Sequence, residues 1–297
     1  MSFQVDISQA SRLLKEIIEE QVNEKESEWI DKQEVKLRND YQTQTFYLAF
    51  SFTSRFIRKK KLELTPKQSA EADKIRKGFQ PEYWNLLQVV RTYFLLMLPY
   101  QNEKIYIEQL TRLHETADID EQITLYSALP LLPYPEELTK RAAEGIRTNI
   151  TDVFDAIALH NPYPSDFLNE SAWNQMLLKA VFMQRPLYRI YGVEKRKNPE
   201  LAGMLVDFAH ERWAAKRKVV PELWRFVGPF VSKPFLSDIV KVVQGEPLER
   251  QAGLMACAVS DLFEVRELLN QYPDIKEKIE CGRLNWTIIG KEVENTS

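Results

Sequence analysis

The apolar residues of this chain recur at helical spacing, in segments that are divided by prolines. One face of a predicted helix after residue 170 consists of Trp173, Met176, Leu177, Ala180 and Val181, at positions i, i+3, i+4, i+7 and i+8. Alternation of apolar and polar residues, the pattern of a half-buried strand, is absent over any long run. The pattern therefore predicts an all-α protein.

Prolines mark many of the predicted helix starts. The pair Pro-Glu begins four segments, at Pro81, Pro135, Pro199 and Pro221. Proline suits the first helical position because its missing N–H would lack a partner there, and the glutamate meets the positive end of the helix dipole. Thr65 and Pro66 predict a fifth start. Further helices are expected over residues 7–38 (with a break), 41–60, 102–116, 119–129, 150–160, 170–184, 235–244, 248–271 and 274–281.

The arrangement of these helices is predicted from their spacing. The Pro-Glu starts are 54, 64 and 22 residues apart, so the chain has no strict tandem repeat. Helices joined by short proline-rich turns still favour an irregular α-α superhelix, a HEAT-like solenoid, over the alternative of a compact multi-helix domain. The polar stretch 61–80 predicts an N-terminal helical segment at 1–62 and a helical-repeat-like main domain at 63–297, unless both form one continuous domain. Residues 286–290, "WTIIG", are compatible with a short strand, but a single isolated strand would have nothing to pair with.

The composition and motifs of the chain argue against several classes of function. The 297 residues carry a net charge of −3, so the overall charge does not attract the protein to nucleic acid or to anionic membranes. Nine glycines exclude a glycine-rich phosphate cradle, and no GxSxG, HExxH or dinucleotide motif is present. No signal peptide is seen, and the longest apolar stretch is far shorter than the ~18–20 residues of a membrane span. We expect a soluble cytoplasmic protein, although basic clusters at 58–61, 195–197 and 216–218 leave peripheral membrane contact open.

Aspartate, histidine and cysteine supply the candidates for metal chemistry. Asp207 and His210 are neighbours at i and i+3, which suits either a metal-binding pair or an aspartate that orients a histidine. An alternative metal site would combine Asp152, Asp155, His160, Asp207 and His210, but this requires two helices to meet. Cys257 and Cys281 lack the spacing of a structural zinc site, and reduced thiols are favoured over a disulfide. We expect no cofactor other than this alternative metal.

Two long segments resemble a known family. These are "RTNITDVFDAIALHNPYPSDFLNESAWNQMLLKAVF" at 147–182 and "NPELAGMLVDFAHERWAAKRKVVPELWRFVGPF" at 198–230. Their asparagine-proline, Ala-Trp-Asn-Gln-Met, Ala-His-Glu-Arg-Trp and Pro-Glu-Leu-Trp elements resemble the EboA family of bacterial metabolite-traffic proteins, over roughly residues 120–235. The N-terminal third resembles the family poorly.

The resemblance implies a setting more than a reaction. The family's gene cluster also encodes a prenyltransferase-like membrane protein and proteins similar to metal-dependent hydrolases and TIM barrels, and it is associated with moving secondary-metabolite precursors toward the periplasm. No catalytic residues carry over from the family. The motif positions that become candidates for ligand binding are His160, Asn161, Asp166, Trp173, Asn174, Gln175, His210, Glu211, Arg212, Trp213 and Trp224.

These observations favour a non-catalytic cytoplasmic scaffold or carrier that assists metabolite traffic. It would bind an apolar or aromatic metabolite, or other proteins of the cluster, in a groove lined by Trp173, Trp213 and Trp224. The alternative is a metal-dependent enzyme that acts on a small metabolite through the Asp and His residues named above. A peptide-binding adaptor is a third class, and it would show an exposed apolar groove.

Overall fold

The structure, a computed structural model, describes residues 5–296. Within this range the chain forms nineteen α-helices and seven short 3₁₀ turns and no strand, which confirms the all-α prediction. Contacts divide the chain into two compact units, with the boundary between Leu168 and Asn169. The boundary predicted after residue 62 and the superhelical arrangement stay predictions. The two units are described separately.

The first unit ends at Leu168. Its helices are α1 Ile7–Glu19, α2 Glu24–Asn39, α3 Thr43–Phe56, α4 Pro66–Ile75, α5 Leu86–Leu95, α6 Glu103–Thr116, α7 Ile119–Ser127, α8 Thr139–Ile146, α9 Thr151–Ala158 and α10 Tyr163–Phe167. Its 3₁₀ turns are Pro81–Tyr83, Leu129–Leu131 and Pro135–Leu138. The break predicted within residues 7–38 lies between α1 and α2.

Helix α5 is the innermost helix of the first unit. All of its residues are buried, and it contacts α1, α3 and α7. It begins with a capping box, in which Asn85 and Gln88 each accept the other's main-chain N–H. Its one charged side chain, Arg91, is fully buried and donates from Nε to the carbonyl of Phe50 at 3.2 Å. A helix that is apolar on nearly every face can be stable only when neighbours cover all of it.

The second unit begins at Asn169. Its helices are α11 Glu170–Phe182, α12 Val193–Arg196, α13 Pro199–Ala214, α14 Trp224–Val227, α15 Leu236–Val243, α16 Pro247–Ala258, α17 Phe263–Asn270, α18 Pro273–Glu280 and α19 Trp286–Thr296, and its 3₁₀ turns are Leu187–Arg189, Pro221–Leu223, Gly228–Phe230 and Lys233–Phe235. Helix α16 is central, since it contacts α14, α15, α17, α18 and α19. Gly253 permits this packing, because a Cβ there would lie 3.0 Å from side-chain atoms of Val242 and Val243.

Only one of the four Pro-Glu pairs opens an α-helix. Pro199 begins α13, and Asn198 caps it by accepting the N–H of Leu201 at 2.8 Å. The other three pairs begin 3₁₀ turns of three or four residues, at Pro81, Pro135 and Pro221. The residues before those prolines provide no side-chain cap. A Pro-Glu pair therefore favours one turn of helix. Of these four pairs, it begins a capped α-helix only where an asparagine precedes the proline.

One other local prediction was wrong. The helix predicted over 248–271 is interrupted after Ala258, because the Ser260 side chain accepts the N–H of Leu262 at 3.2 Å and so offers the main chain an alternative to helix. Residues 286–290 belong to α19 and are not a strand.

The two thiols, Cys257 and Cys281, are free. In the described residues, no helix has both the length and the apolar character that crossing a membrane requires.

The burial of α5 gives a direct stability prediction. Leu86 is fully buried in this helix, so Leu86→Ala should lower the free energy of unfolding by about 2–5 kcal/mol. Leu48, whose side chain is 47% exposed in α3, provides a matched control in the same unit, and Leu48→Ala should cost less than about 1 kcal/mol. Urea denaturation measures both values. Equal losses for the two variants would contradict the central position of α5.

Candidate functional site

The second unit contains a cavity of about 440 Å³. Its wall is formed by residues 184–186, by residues 218–222, and by residues near the start of α16 and the end of α19. The stretch 218–222 is extended where Val219-Val220 precedes Pro221, because a residue before proline disfavours the helical conformation. The volume is within the range of small-molecule sites, about 300–1,000 Å³.

Glycine allows α19 to approach this wall closely. A Cβ at Gly290 would lie 2.7 Å from Oε1 of Glu222 and would collide with the ring of Tyr188. Any other residue at position 290 would push α19 away from the turn Pro221–Leu223. The absence of a side chain at this position therefore brings α19 against Glu222.

Glu222 is the most unusual group in the cavity wall. Its side chain is fully buried, and Oε2 accepts the N–H of Leu187 at 3.2 Å. Oε1 has no hydrogen-bond partner among the described residues. Burial raises the pKa of Glu222 to about 7, although the N–H groups of Leu187 and Tyr188 act to lower it. The carboxyl group is therefore close to half protonated at neutral pH.

The rest of the wall is apolar with an excess of acidic groups. Valine, leucine and proline side chains contribute the apolar part. Besides Glu222, three glutamates line the cavity, at positions 246, 249 and 294, against two basic residues, Arg185 and Lys218. Glu294 is partly neutralised, because its carboxylate accepts hydrogen bonds from Arg189 and Tyr188, each at 2.7 Å. This arrangement suits a ligand that is mostly apolar and carries a hydrogen-bond donor.

The predicted site residues of the first unit build the turn after α9. His160 adopts a left-handed conformation with φ 53°, and its ring stacks on Tyr83 with 3.3 Å between ring centroids. Asn161 is buried, and its amide donates to the carbonyls of Tyr126 and Ala156. These contacts hold the turn in place, as buried polar groups generally require. Asp166 pairs with the buried side chain of Arg76.

Trp173 and Asn174 lie in the core of the second unit. Trp173 is fully buried, with the guanidinium of Arg196 at 5.1 Å from its ring centroid. Asn174 and Asn198 exchange side-chain hydrogen bonds of 3.2 and 2.8 Å, and Asn198 is also the N-cap of α13. Asn174 thus orients the residue that begins the next long helix, which is a structural role.

His210, Trp213 and Trp224 form a connected group. His210 Nε2 is hydrogen-bonded to Oδ1 of Asp238 at 2.9 Å. Trp213 stacks on Trp224 with ring centroids 5.8 Å apart, and Nζ of Lys241 lies 3.8 Å from the Trp213 centroid. Trp224 is buried and Trp213 is half-buried, so only the outer ring of this pair reaches the surface.

Three further predicted residues share a separate groove. Gln175, Glu211 and Arg212 line an opening of about 520 Å³ between α11 and α13, together with Phe182. The guanidinium of Arg212 donates to a main-chain carbonyl at 3.0 Å, and no buried polar group points into this groove among the described atoms. The groove has fewer features of a ligand site than the cavity at Glu222.

The residues of the predicted alternative metal site belong to both units. Asp152, Asp155 and His160 lie in the first unit, and Asp207 and His210 lie in the second. Asp207 is exposed, and the hydrogen-bond partner of His210 is Asp238 instead. Within residues 5–296 there is no group of three or more His, Cys, Asp or Glu side chains that could hold a metal ion. The metal-site prediction gains no support from this geometry.

Glu222 was missed as a site residue in the sequence. The signal was present, since Pro221-Glu222 is one of the four Pro-Glu pairs, but its glutamate was interpreted only as a partner of a helix dipole. Glu200, in the pair that does open an α-helix, is exposed. The apolar residues around Glu222, in "VVPELW", are the only local sign that this glutamate is buried.

Comparisons with known proteins identified a family to which the chain is similar. A family model described as "Metabolite traffic protein EboA" matches residues 10–228. The match includes Glu222 and begins much nearer the N-terminus than the resemblance recognised in the sequence, which was poor over the first third. No curated protein and no solved structure matched the chain.

The buried carboxyl group predicts a specific pH dependence of stability. The pKa of Glu222 is raised in the folded protein from 4.5 to about 7, so the native state binds this proton more tightly than the unfolded chain does. The resulting stabilisation is complete below pH 4.5 and is lost as the pH rises to about 7. The contribution of Glu222 to the free energy of unfolding should fall by about 3 kcal/mol over this window. The buried His114, whose pKa is lowered to about 4, contributes an opposite change, which a variant at position 222 retains.

Urea denaturation of the Glu222→Gln variant isolates this contribution. The free energy of unfolding of the wild type minus that of the variant should fall by about 3 kcal/mol between pH 4.5 and 7, because glutamine does not titrate and every other titrating group is common to both proteins. Glu200→Gln is the matched control, since Glu200 also follows a proline but is exposed, and it should keep the wild-type profile. Identical profiles for the wild type and Glu222→Gln would contradict the raised pKa.

Proposed function

The chain belongs to the EboA family of metabolite traffic proteins, and we propose that in this role it is a non-catalytic carrier that binds a small molecule beside Glu222. The observation that carries the proposal is the fully buried Glu222 carboxyl, whose Oε1 has no partner among the described atoms and which lies in the wall of a 440 Å³ cavity. Buried polar groups in native proteins are nearly always hydrogen-bonded. An unpaired one beside a cavity is ready to accept a donor from a ligand.

The chemistry of the wall defines the class of ligand. A carboxylate oxygen accepts hydrogen bonds only, so the matching ligand group is a donor, an amine or a hydroxyl. The four glutamates that line the cavity favour an ammonium group over a carboxylate. The apolar part of the wall suits an aliphatic or aromatic body. The proposed ligand is therefore an apolar or aromatic metabolite with an amine or hydroxyl group.

The setting of this carrier is part of the same proposal. We place it in the cytoplasm, working with other proteins of the gene cluster that the family resemblance implies. The carrier role is preferred over catalysis because the described wall of the cavity holds a single group with a raised pKa, Glu222, and no histidine, cysteine or serine that it could activate. The metal-dependent enzyme remains the alternative, and no described geometry supports it.

A pair of probes tests the proposed ligand chemistry. 1-Naphthylmethylammonium and 1-naphthylacetate share an aromatic body and differ in charge. Isothermal titration calorimetry should detect binding of the ammonium probe and much weaker binding of the carboxylate probe. Glu222→Gln should weaken binding of the ammonium probe by about 10- to 100-fold, the value of a charge-assisted hydrogen bond. Affinity for this probe should also rise with pH through 7, as Glu222 ionises.

The control variant is again Glu200→Gln, which should bind both probes like the wild type because Glu200 lies on the exposed side of α13. Mass spectrometry of the released probe should find it unchanged, as expected for a carrier. Equal affinity of wild type and Glu222→Gln for the ammonium probe would refute the proposed site.

A further inference from the structure

Helix α3 of the first unit exposes an apolar stripe. Leu48, Phe52 and Phe56 follow one another at intervals of four residues, so they lie on one face, and they are 47%, 39% and 48% exposed. Phe56 also stacks on Trp29 of α2, with ring centroids 4.7 Å apart. These four side chains line one open groove of about 450 Å³. Large apolar residues scattered singly over a surface need no explanation, but a contiguous aromatic stripe does.

The same part of the chain is strongly basic. Residues 41–61 contain no aspartate or glutamate and five basic residues, Arg55, Arg58, Lys59, Lys60 and Lys61, although the whole chain has a net charge of −3. Arg58 and Lys59 are neutralised by ion pairs with Glu26 and Asp120.

The other three cations, Arg55, Lys60 and Lys61, form no ion pair within the described residues. Arg55 also lies next to the stripe, with its guanidinium 4.5 Å from the ring centroid of Phe52. Lys60 and Lys61 follow the last residue of α3, Phe56, within five positions. Unpaired positive charge therefore borders the exposed aromatic side chains at the C-terminal end of α3.

We propose that this surface, formed by Leu48, Phe52, Phe56, Arg55, Lys60 and Lys61, docks the protein on an anionic lipid bilayer. Aromatic rings bind at the boundary between headgroups and acyl chains, and lysine and arginine side chains bind lipid phosphates. The stripe and Arg55 supply both parts side by side, and Lys60 and Lys61 follow within five residues of Phe56. The contact is peripheral, since it uses a helix face and buries no complete helix.

Charge argues against the other apolar occupant, a second copy of this chain. A symmetric dimer through α3 would bring together two copies of a surface with net positive charge. The repulsion between these net charges opposes such an interface. An anionic bilayer complements the surface instead. The proposal uses residues of the first unit only, so it does not depend on the ligand cavity of the second.

Vesicle co-sedimentation of the full chain tests the proposal. The wild type should bind vesicles of phosphatidylcholine with phosphatidylglycerol and should not bind vesicles of phosphatidylcholine alone, and added salt should weaken the binding. The double variant Lys60→Glu/Lys61→Glu should lose at least about 25-fold in affinity, at about fivefold for each cation. Phe52→Ser should lose about fivefold independently, because it removes a half-exposed ring that inserts.

Matched controls lie elsewhere on the chain. Lys140→Glu/Lys291→Glu makes the same charge change at exposed positions, and Phe263→Ser removes an aromatic ring that is 70% exposed. Both should bind anionic vesicles like the wild type, apart from the small effect of net charge. Circular dichroism verifies that each variant is folded. No binding of the wild type, equal binding by folded surface variants, or a dimer in sedimentation equilibrium that Phe52→Ser dissociates would each overturn the proposal.

Discussion

A carboxyl group removed from water must find hydrogen-bond donors or keep its proton, and this constraint shapes the second unit around Glu222. The N–H of Leu187 satisfies one oxygen, and the missing side chain of Gly290 lets α19 close against the other. Burial raises the pKa of the group to about 7, because the main-chain donors that reach it do not replace the hydration it has lost. The burial that destabilises the protein above neutral pH also leaves an acceptor beside a cavity. A stability cost retained at one position is typical of a functional site.

The fold class could be predicted from local sequence patterns. Helical periodicity and proline positions depend on neighbouring residues, so the all-α prediction and the start of α13 at Pro199 could be made from the sequence. The burial of Glu222 could not. Pro221-Glu222 and Pro199-Glu200 have the same two residue types, and their difference arises from Leu187 and Gly290, which are distant in sequence. The interruption of the helix after Ala258 was missed for a local reason, the hydrogen bond of a serine side chain.

The candidate site was predicted less well than the fold, because polar residues in motifs also serve structure. Asn161 and Asn174 stand out in the sequence, yet both are buried and hydrogen-bonded in ways that hold a turn and orient a helix cap. His210 does have an aspartate partner, but it is Asp238, 28 residues away, and not its neighbour in the same helix. The sequence shows the basic cluster at 58–61, but it does not show which side chains of α3 are exposed, because exposure depends on tertiary packing.

The Glu222 carboxyl is the polar anchor of the ligand site that we propose. Carbon-13 NMR of the glutamate side-chain carboxyls, with Glu222→Gln to assign the signal, measures this group directly during a pH titration. We expect a pKa near 7 for Glu222 in the free protein and a lower pKa when 1-naphthylmethylammonium is bound, because a neighbouring positive charge favours the carboxylate. A pKa near the ordinary value of 4.5, or one that the probe leaves unchanged, would contradict it.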